Sequence, residues 1–276
     1  MGQLLVEGGE PERNLGRAVE MIKEAKEKGC NLILLPECLD LVWCHPSAKT
    51  KSLPIPGKFS EVLTNSAKEN NIYVVAGLIE RSNDDVYNTA LMINPNGEII
   101  SKYRKINVLE AVQDIYSIGN SLSVIDTPFG KVGLNICADN YADSLHIGHC
   151  LAKMGAQIIF SPSSWTVDYS ITDSEDLYGD KWIKPYSVLA KLYDLVIVSA
   201  TSVGYIVGGV YEGKKSVGCS LAVNKDGVIA RGANNEVAGE LIIVDIEIPN
   251  REIKGTTLSK SVRDKGYRES FENDTW

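Results

Sequence analysis

The chain has 276 residues, 44% of them hydrophobic and 23% charged, and carries a net charge of −8. That length allows one large α/β domain whose core needs neither disulfides nor a structural metal. The acidic balance argues against nucleic acid, whose binding rests on Lys and Arg neutralising phosphates, and no stretch approaches the roughly 20 apolar residues that cross a bilayer.

The amino-terminal MGQLLVEGGEPE has neither the basic nor the apolar region of a secretion signal. The six cysteines (30, 38, 44, 137, 150 and 219) and three histidines make no zinc spacing. His146 and His149 lie one helical turn apart without a third ligand, which fits surface or interface histidines better than a metal site. The expectation is a cytoplasmic protein with free thiols and no metal.

In chain order, Pro11 and Glu12 suit a first helical turn, Leu15, Val19, Ile22 and Ala25 recur at helical spacing, and Gly29 follows, which predicts a helix over 11–28. NLILLP (31–36) is a continuous apolar run, as expected of a strand covered on both faces. A second helix fits 58–70. Strands follow over 72–80, 86–94 and 98–103, the last two joined by the turn Pro95-Asn96-Gly97. The second half begins with a strand over 131–137, a helix over 144–154 ending at Gly155, and a strand over 157–162. A helix over 178–193 leads to a strand over 195–203, a hairpin of 216–224 and 228–232 about Lys225-Asp226-Gly227, and a final strand over 241–248. The polar sequence after about residue 250 reads as an extended arm.

Two segments repeat. GCNLILLP (29–36) and GAQIIFSP (155–162) share their Gly-to-Pro spacing, each follows a helix, and each precedes a helix, a strand, a second strand, a tight turn and a third strand. This predicts two similar α/β halves in one domain over 1–276, two sheets face to face with helices outside, an α-β-β-α sandwich. No linker rich in Pro, Gly or Ser divides them.

Three reactive side chains fall just past apolar strands: Glu37 after LILLP, Lys105 after IISKYR, and Cys137 after VGLNI. Strand ends are where a rigid sheet presents groups to a cleft. A thiol, a carboxylate and an ammonium make a complete set for acyl transfer: nucleophile, proton acceptor and oxyanion partner. Spacing alone does not bring them together. Glu37 also fits a surface carboxylate, Lys105 a solvated basic run, and Cys137 core filling.

LLPEC (34–38), KYRKIN (102–107) and GLNICADN (133–140) resemble, in order, the three signature blocks of the nitrilase-like carbon–nitrogen hydrolase family. The similarity extends through NLGRAVEMIKEAKEKGCNLILLPE, VYNTALMINPNGEII, SPSSW and GCSLAVNKDGVI. It departs at the amino end, where the family's first strand of several apolar residues is shortened to Met1-Gly2-Gln3. The resemblance implies the same α-β-β-α sandwich, with Glu37 as general base, Lys105 as oxyanion stabiliser, Cys137 as nucleophile and the amide of Ala138 completing the oxyanion hole. It implies a second glutamate assisting the lysine, for which Glu110 is the candidate and Asp114 the rival. It also implies a homodimer formed through helices flanking the nucleophile. Leu145, Ile147, Leu151 and Met154 of helix 144–154 fit either that interface or the core.

Nitrile-cleaving members resemble one another in placing Trp directly after the nucleophile; here Ala138 and Asp139 follow it, which favours a small amide or N-carbamoyl substrate. Water is then the second reactant, ammonia a product, and no cofactor is required. Trp43, Asn140, Tyr141, Ser163 and Trp165 are the candidate pocket wall, although buried aromatics are more often core. Nitrile cleavage, acyl transfer to an acceptor other than water, and a non-catalytic interaction protein are the alternatives.

Overall fold

A computed structural model describes residues 1–171, 179–234, 238–251 and 265. The first half opens with α1 (Pro11–Glu27), which carries Pro11 in its first turn and buries Leu15, Ala18, Ile22 and Ala25 along one stripe. β1 (Leu32–Leu34) follows, then α2 (Lys58–Asn70), whose end is closed by Asn71 in the left-handed conformation at φ 47°. β2 (Tyr73–Ser82), β3 (Asp85–Ile93) and β4 (Ile99–Arg104) complete a four-stranded sheet in the order β1-β2-β3-β4. β1 and β2 are parallel, and the remaining pairs antiparallel.

The second half contains β5 (Val124–Thr127), β6 (Gly130–Leu134), α3 (Leu145–Lys153), β7 (Ile158–Ser163), α4 (Gly179–Tyr193), β8 (Val196–Thr201), β9 (Leu221–Asn224) and β10 (Gly227–Arg231). Its sheet runs β10-β9-β8-β7-β6-β5. β7 pairs parallel with β8, and β8-β9-β10 continue antiparallel, the same arrangement as β1-β2-β3-β4. The repeat seen in the sequence is thus a repeat of topology, with β6 and β5 added beyond β7.

Period-two alternation assigns the faces. Leu34, Val75 and Met92 of the first sheet pack with Leu134, Ile158, Phe160 and Val198 of the second. Their neighbours Ile33, Val74 and Leu91 face outward, onto Leu15 and Ile22 of α1 and Leu63 and Ala67 of α2. α3 and α4 cover the second sheet with Leu151, Leu189 and Ala190. Four layers result, and each fully buried Leu, Ile or Val stabilises them by roughly 1.5–3 kcal/mol relative to exposure.

Several expectations change. Of the strand expected over 241–248, only Glu240–Leu241 is laddered, against Gly2–Gln3. Ile242 and Met1 exchange one further pair of bonds, and there the ladder ends. Ile242, Val244, Ile246 and Ile248 remain half-buried and alternate with exposed neighbours, so the strand pattern persists without strand pairing. The run 216–224 is broken at Gly218 and Cys219, both at positive φ; Lys215–Val217 turns away to pair with Val203–Tyr205 and Thr166–Val167. Leu145, Ile147 and Leu151, which also fitted an interface, belong to the core, and Met154 is 47% exposed. The expected arm begins with Arg251, whose guanidinium binds the carbonyls of Ala152, Ala156 and Tyr193 at 2.6–2.9 Å. Beyond it, the arm lies outside the described residues except for Lys265. Among the described residues, no helix is long and apolar enough to cross a membrane.

Candidate active site

Glu37 stands directly after Pro36, past the end of β1, and its amide donates to the Ser163 carbonyl at 3.2 Å. The equivalent loops of the two halves therefore touch. β2 passes so close that a Cβ on Gly77 would lie 2.6 Å from the Glu37 Cα, so a glycine is required there. The Glu37 carboxylate is buried and receives Asn88 Nδ2 at 2.7 Å and Lys105 Nζ at 2.6 Å on the same oxygen, Oε1. Lys105 follows β4 and is itself buried; its amide donates to the Asn88 carbonyl at 2.8 Å. Burial alone would drive the lysine toward neutrality. The opposing fields of Glu37, Cys137 and Asp139 outweigh burial and hold it above the ordinary lysine value.

Cys137 opens a 3-10 turn, Cys137–Asn140, after β6, and its φ is +42°. Left-handed backbone costs a non-glycine residue roughly 1–2 kcal/mol, and here it falls where the chain leaves β6 for the 3-10 turn. The Cys137 amide is held by Ser161 Oγ at 3.2 Å, and the thiol donates to the Ser164 carbonyl at 3.8 Å, with the Glu37 carboxylate near enough for its charge to act on the sulfur. Burial, then the Glu37 charge, push the thiol up to about 12, with Lys105 opposing. The sulfur is therefore a neutral thiol at neutral pH, hydrogen-bonded to the Ser164 carbonyl and within the field of the Glu37 carboxylate. A lone thiolate is not pre-formed, so attack on a carbonyl requires transfer of that proton as the bond forms.

The turn is bolted from below. Asp139 Oδ2 accepts from Ile136 N at 2.8 Å and from the Tyr103 hydroxyl at 2.7 Å, while Oδ1 accepts from Asn107 N at 2.8 Å. Asn107 Nδ2 donates to the Ala138 carbonyl at 2.7 Å. The side chain of Asn140, a residue expected in the pocket wall, is committed to the interior: Oδ1 accepts from Asn135, and Nδ2 donates to Ser161 Oγ at 2.9 Å. Ser163, from the same expected wall, is fully buried and bonded to Ser161 and Ser199.

Tyr141 follows the turn, and its hydroxyl is raised by burial and by the nearby Cys137 and Glu37. Its ring stacks on Trp182 at 4.9 Å, and Trp182 stacks on Trp165 at 4.8 Å and 5°. Trp43 belongs to a different cluster, the outer core of the first half, with its ring 5.0 Å from Tyr211.

The structure thus brings Glu37, Lys105 and Cys137 together, with Ala138 and Tyr141 beside them, and does not bring Glu110. Glu110 lies exposed on a 3-10 turn, Glu110–Val112, and among the described residues its carboxylate has no hydrogen bond to Lys105. Asp114, also exposed, pairs with Lys49 at 2.8 Å. Sequence reasoning missed Asn88, Tyr103, Ser161 and Trp182. Asn88 and Thr89 did leave a signal, as a polar pair inside the otherwise apolar run of β3. Among the described residues, no group of three His, Cys, Asp or Glu is placed to hold a metal.

The profile of the carbon–nitrogen hydrolase family matches residues 7–252. Omega-amidase NIT2-A of Xenopus laevis is 34% identical over 165 residues, covering 56% of this chain and 59% of the relative, so the chain spans about three fifths of the length of the curated relatives it matches. A nitrilase of Pyrococcus abyssi is 31% identical over 167 residues, 58% of this chain and 62% of that protein. In fold, the chain matches the NitN amidase of Nesterenkonia sp. AN1 with a TM-score of 0.76 at 18% identity, over 95% of this chain and 94% of that one. A carbon–nitrogen hydrolase of Helicobacter pylori G27 gives 0.72 at 20% identity, over 86% and 87%.

Proposed function

The chain belongs to the carbon–nitrogen hydrolase family, and from that premise we propose that it cleaves the carbon–nitrogen bond of a small amide or N-carbamoyl compound through a thioester on Cys137. The observation that carries this reading is the buried Lys105–Glu37 pair at 2.6 Å, with the buried Cys137 thiol within the field of both charges. Glu37 takes the thiol proton as the sulfur attacks the carbonyl carbon. The tetrahedral oxyanion is received by the Lys105 ammonium and the Ala138 amide. Glu37 then delivers the proton to the departing nitrogen, and ammonia leaves from a primary amide. Water enters, gives a proton to Glu37 and attacks the thioester. Collapse frees the carboxylic acid, and the thiolate recovers its proton from Glu37. Atoms balance as amide plus water giving acid plus ammonia.

The neutral resting thiol supports a base that acts during attack, which is the role given to Glu37. Tyr141, Trp165, Trp43, Ser163 and Asn140 are proposed to shape the wall, Tyr141 by direct contact and the fully buried Trp165, Ser163 and Asn140 from behind. Assembly as a homodimer in the cytoplasm is part of the same proposal.

The test is ammonia release from a panel of aliphatic amides, ω-amides of dicarboxylates, N-carbamoyl amino acids and nitriles, with mass spectrometry of the protein during turnover. An acyl adduct on Cys137 and loss of turnover in Cys137→Ala are expected. A Cys137→Ala protein that turns over at the wild-type rate refutes the mechanism.

A further inference from the structure

The expected fourth catalytic carboxylate is not where the sequence put it: Glu110 and Asp114 both face solvent. A different carboxylate is fully buried under the site. We propose that Asp139 is the second carboxylate of this centre, a positioning residue that ties the Lys105 strand end to the Cys137 turn and holds the ammonium against the thiol.

The geometry is two-sided. Toward the nucleophile, Asp139 Oδ2 takes the amide of Ile136, the residue that enters the Cys137 turn. Toward the lysine, Oδ2 takes the Tyr103 hydroxyl and Oδ1 the Asn107 amide, two residues before and two after Lys105. A second tie runs in parallel, from Asn107 Nδ2 to the Ala138 carbonyl in the Cys137 turn and to Ser144 Oγ just ahead of α3. All the bonds to the Asp139 carboxylate come from donors, which together with Lys105 favour the ionised form against the upward push of burial and leave a neutral amide one acceptor short. Lys105 is faced by Glu37, Cys137 and Asp139; Asp139 in turn is faced by Lys105 and Tyr103. Glu37 must surrender its charge when it takes the thiol proton. At that moment Asp139 is the carboxylate that still favours a charged lysine, when the oxyanion needs it.

This inference rests on the catalytic reading above, so its test uses two readouts: turnover of an amide, and alkylation of Cys137 by iodoacetamide, which requires no turnover. Asp139→Asn is expected to lower kcat about 100-fold with KM within a factor of about three. It should also bring an alkaline limb into the pH profile about one unit lower, as the lysine loses a partner charge, and slow Cys137 alkylation several-fold at fixed pH. Tyr103→Phe removes one tie but leaves the charge: kcat should fall about tenfold with the alkaline limb in place. Glu110→Gln should match wild type in every measurement.

A fall in kcat for Glu110→Gln overturns the proposal. So does a Tyr103→Phe protein of wild-type kcat, an outcome that can be read even where Asp139→Asn does not fold. A folded Asp139→Asn protein with unchanged kcat, alkaline limb and alkylation also overturns it. If the wild-type chain cleaves no amide at all, the catalytic reading fails, and the alkylation series still decides whether Asp139 sets the Lys105–Cys137 register.

Discussion

The two halves of the molecule share a topology and diverge in chemistry at the same point. The loop after β1 places Glu37, Cys38 and Asp40 at the first, second and fourth positions beyond Pro36; the end of β7 and the residues after it place Ser163, Ser164 and Thr166 at the same positions beyond Pro162. The first half thus contributes charge, the Glu37–Lys105 pair with Asn88 behind it. The second contributes the proposed nucleophile, with Asp139 buried beneath it, and lines the end of β7 with hydroxyls and stacked aromatics. The Glu37 amide on the Ser163 carbonyl joins the two at the site. One duplicated frame has been given an ionic side at the loop after β1 and a neutral side at the end of β7, and the proposed attack takes place where they meet. A buried charge is costly without its partner, whereas a buried hydroxyl costs far less. The two sides should therefore respond to mutation very differently.

The largest contrast is expected at Lys105. Lys105→Met leaves Glu37 buried without its counter-charge and should cost about 3–5 kcal/mol of stability as well as activity. Adding Glu37→Gln should restore most of the stability and none of the activity. Chemical denaturation of both proteins checks this, and equal stability of the two would break the contrast.

Asp40 comes next. Burial holds its carboxyl at about 7 in the folded chain, against an ordinary 3.8, despite the amides of Ile79 and Leu41 that bond it. Between those values the folded chain keeps a proton that the unfolded chain has lost. This group's contribution to stability is therefore full below about 4 and falls as pH rises to 7. Asp40→Asn should melt above wild type at pH 8, by the equivalent of about 2–4 kcal/mol, and the gap should narrow toward pH 4. A gap independent of pH would remove Asp40 from the ionic side.

Asn88→Ala deletes a hydrogen bond to a buried carboxylate and should lower kcat by about 10–100-fold, the equivalent of roughly 1.5–3 kcal/mol. Steady-state kinetics with a primary amide measure it. The smallest effect belongs to the neutral side. Ser163→Ala removes a hydroxyl bonded to Ser161 and Ser199 and should cost about 0.5–1.5 kcal/mol with kcat near wild type. A loss as large as that of Lys105→Met would show that the halves are equally charged in effect.

The halves themselves could be read from sequence because the repeat is local: a helix, a Gly-to-Pro apolar strand, a helix, and three strands recur in order. The trio was legible for the same reason, each member sitting just past a strand. What escaped is what depends on tertiary approach. Asn88 reaches Glu37 across 51 residues and Tyr103 reaches Asp139 across 36; no spacing rule encodes either. Glu110 satisfied the expected order of motifs, yet the turn carrying it faces solvent. The last strand shows the reverse case. Its alternation from Ile242 to Ile248 is written in the sequence, but alternation describes which face is buried and not which edge is paired.

The backbone of Cys137 has a consequence for how this chain can change. At φ +42° it is a position where glycine would sit more comfortably than any side chain. Relaxing the bend there would also empty a buried side-chain position, so the strain at the proposed nucleophile is set against packing in the core. An engineer seeking an inert scaffold can weigh Cys137→Gly, which relieves the bend, against Cys137→Ala, which keeps more of the packing. One seeking a better catalyst should leave the strain alone and add stability elsewhere, where no chemistry depends on an awkward bend.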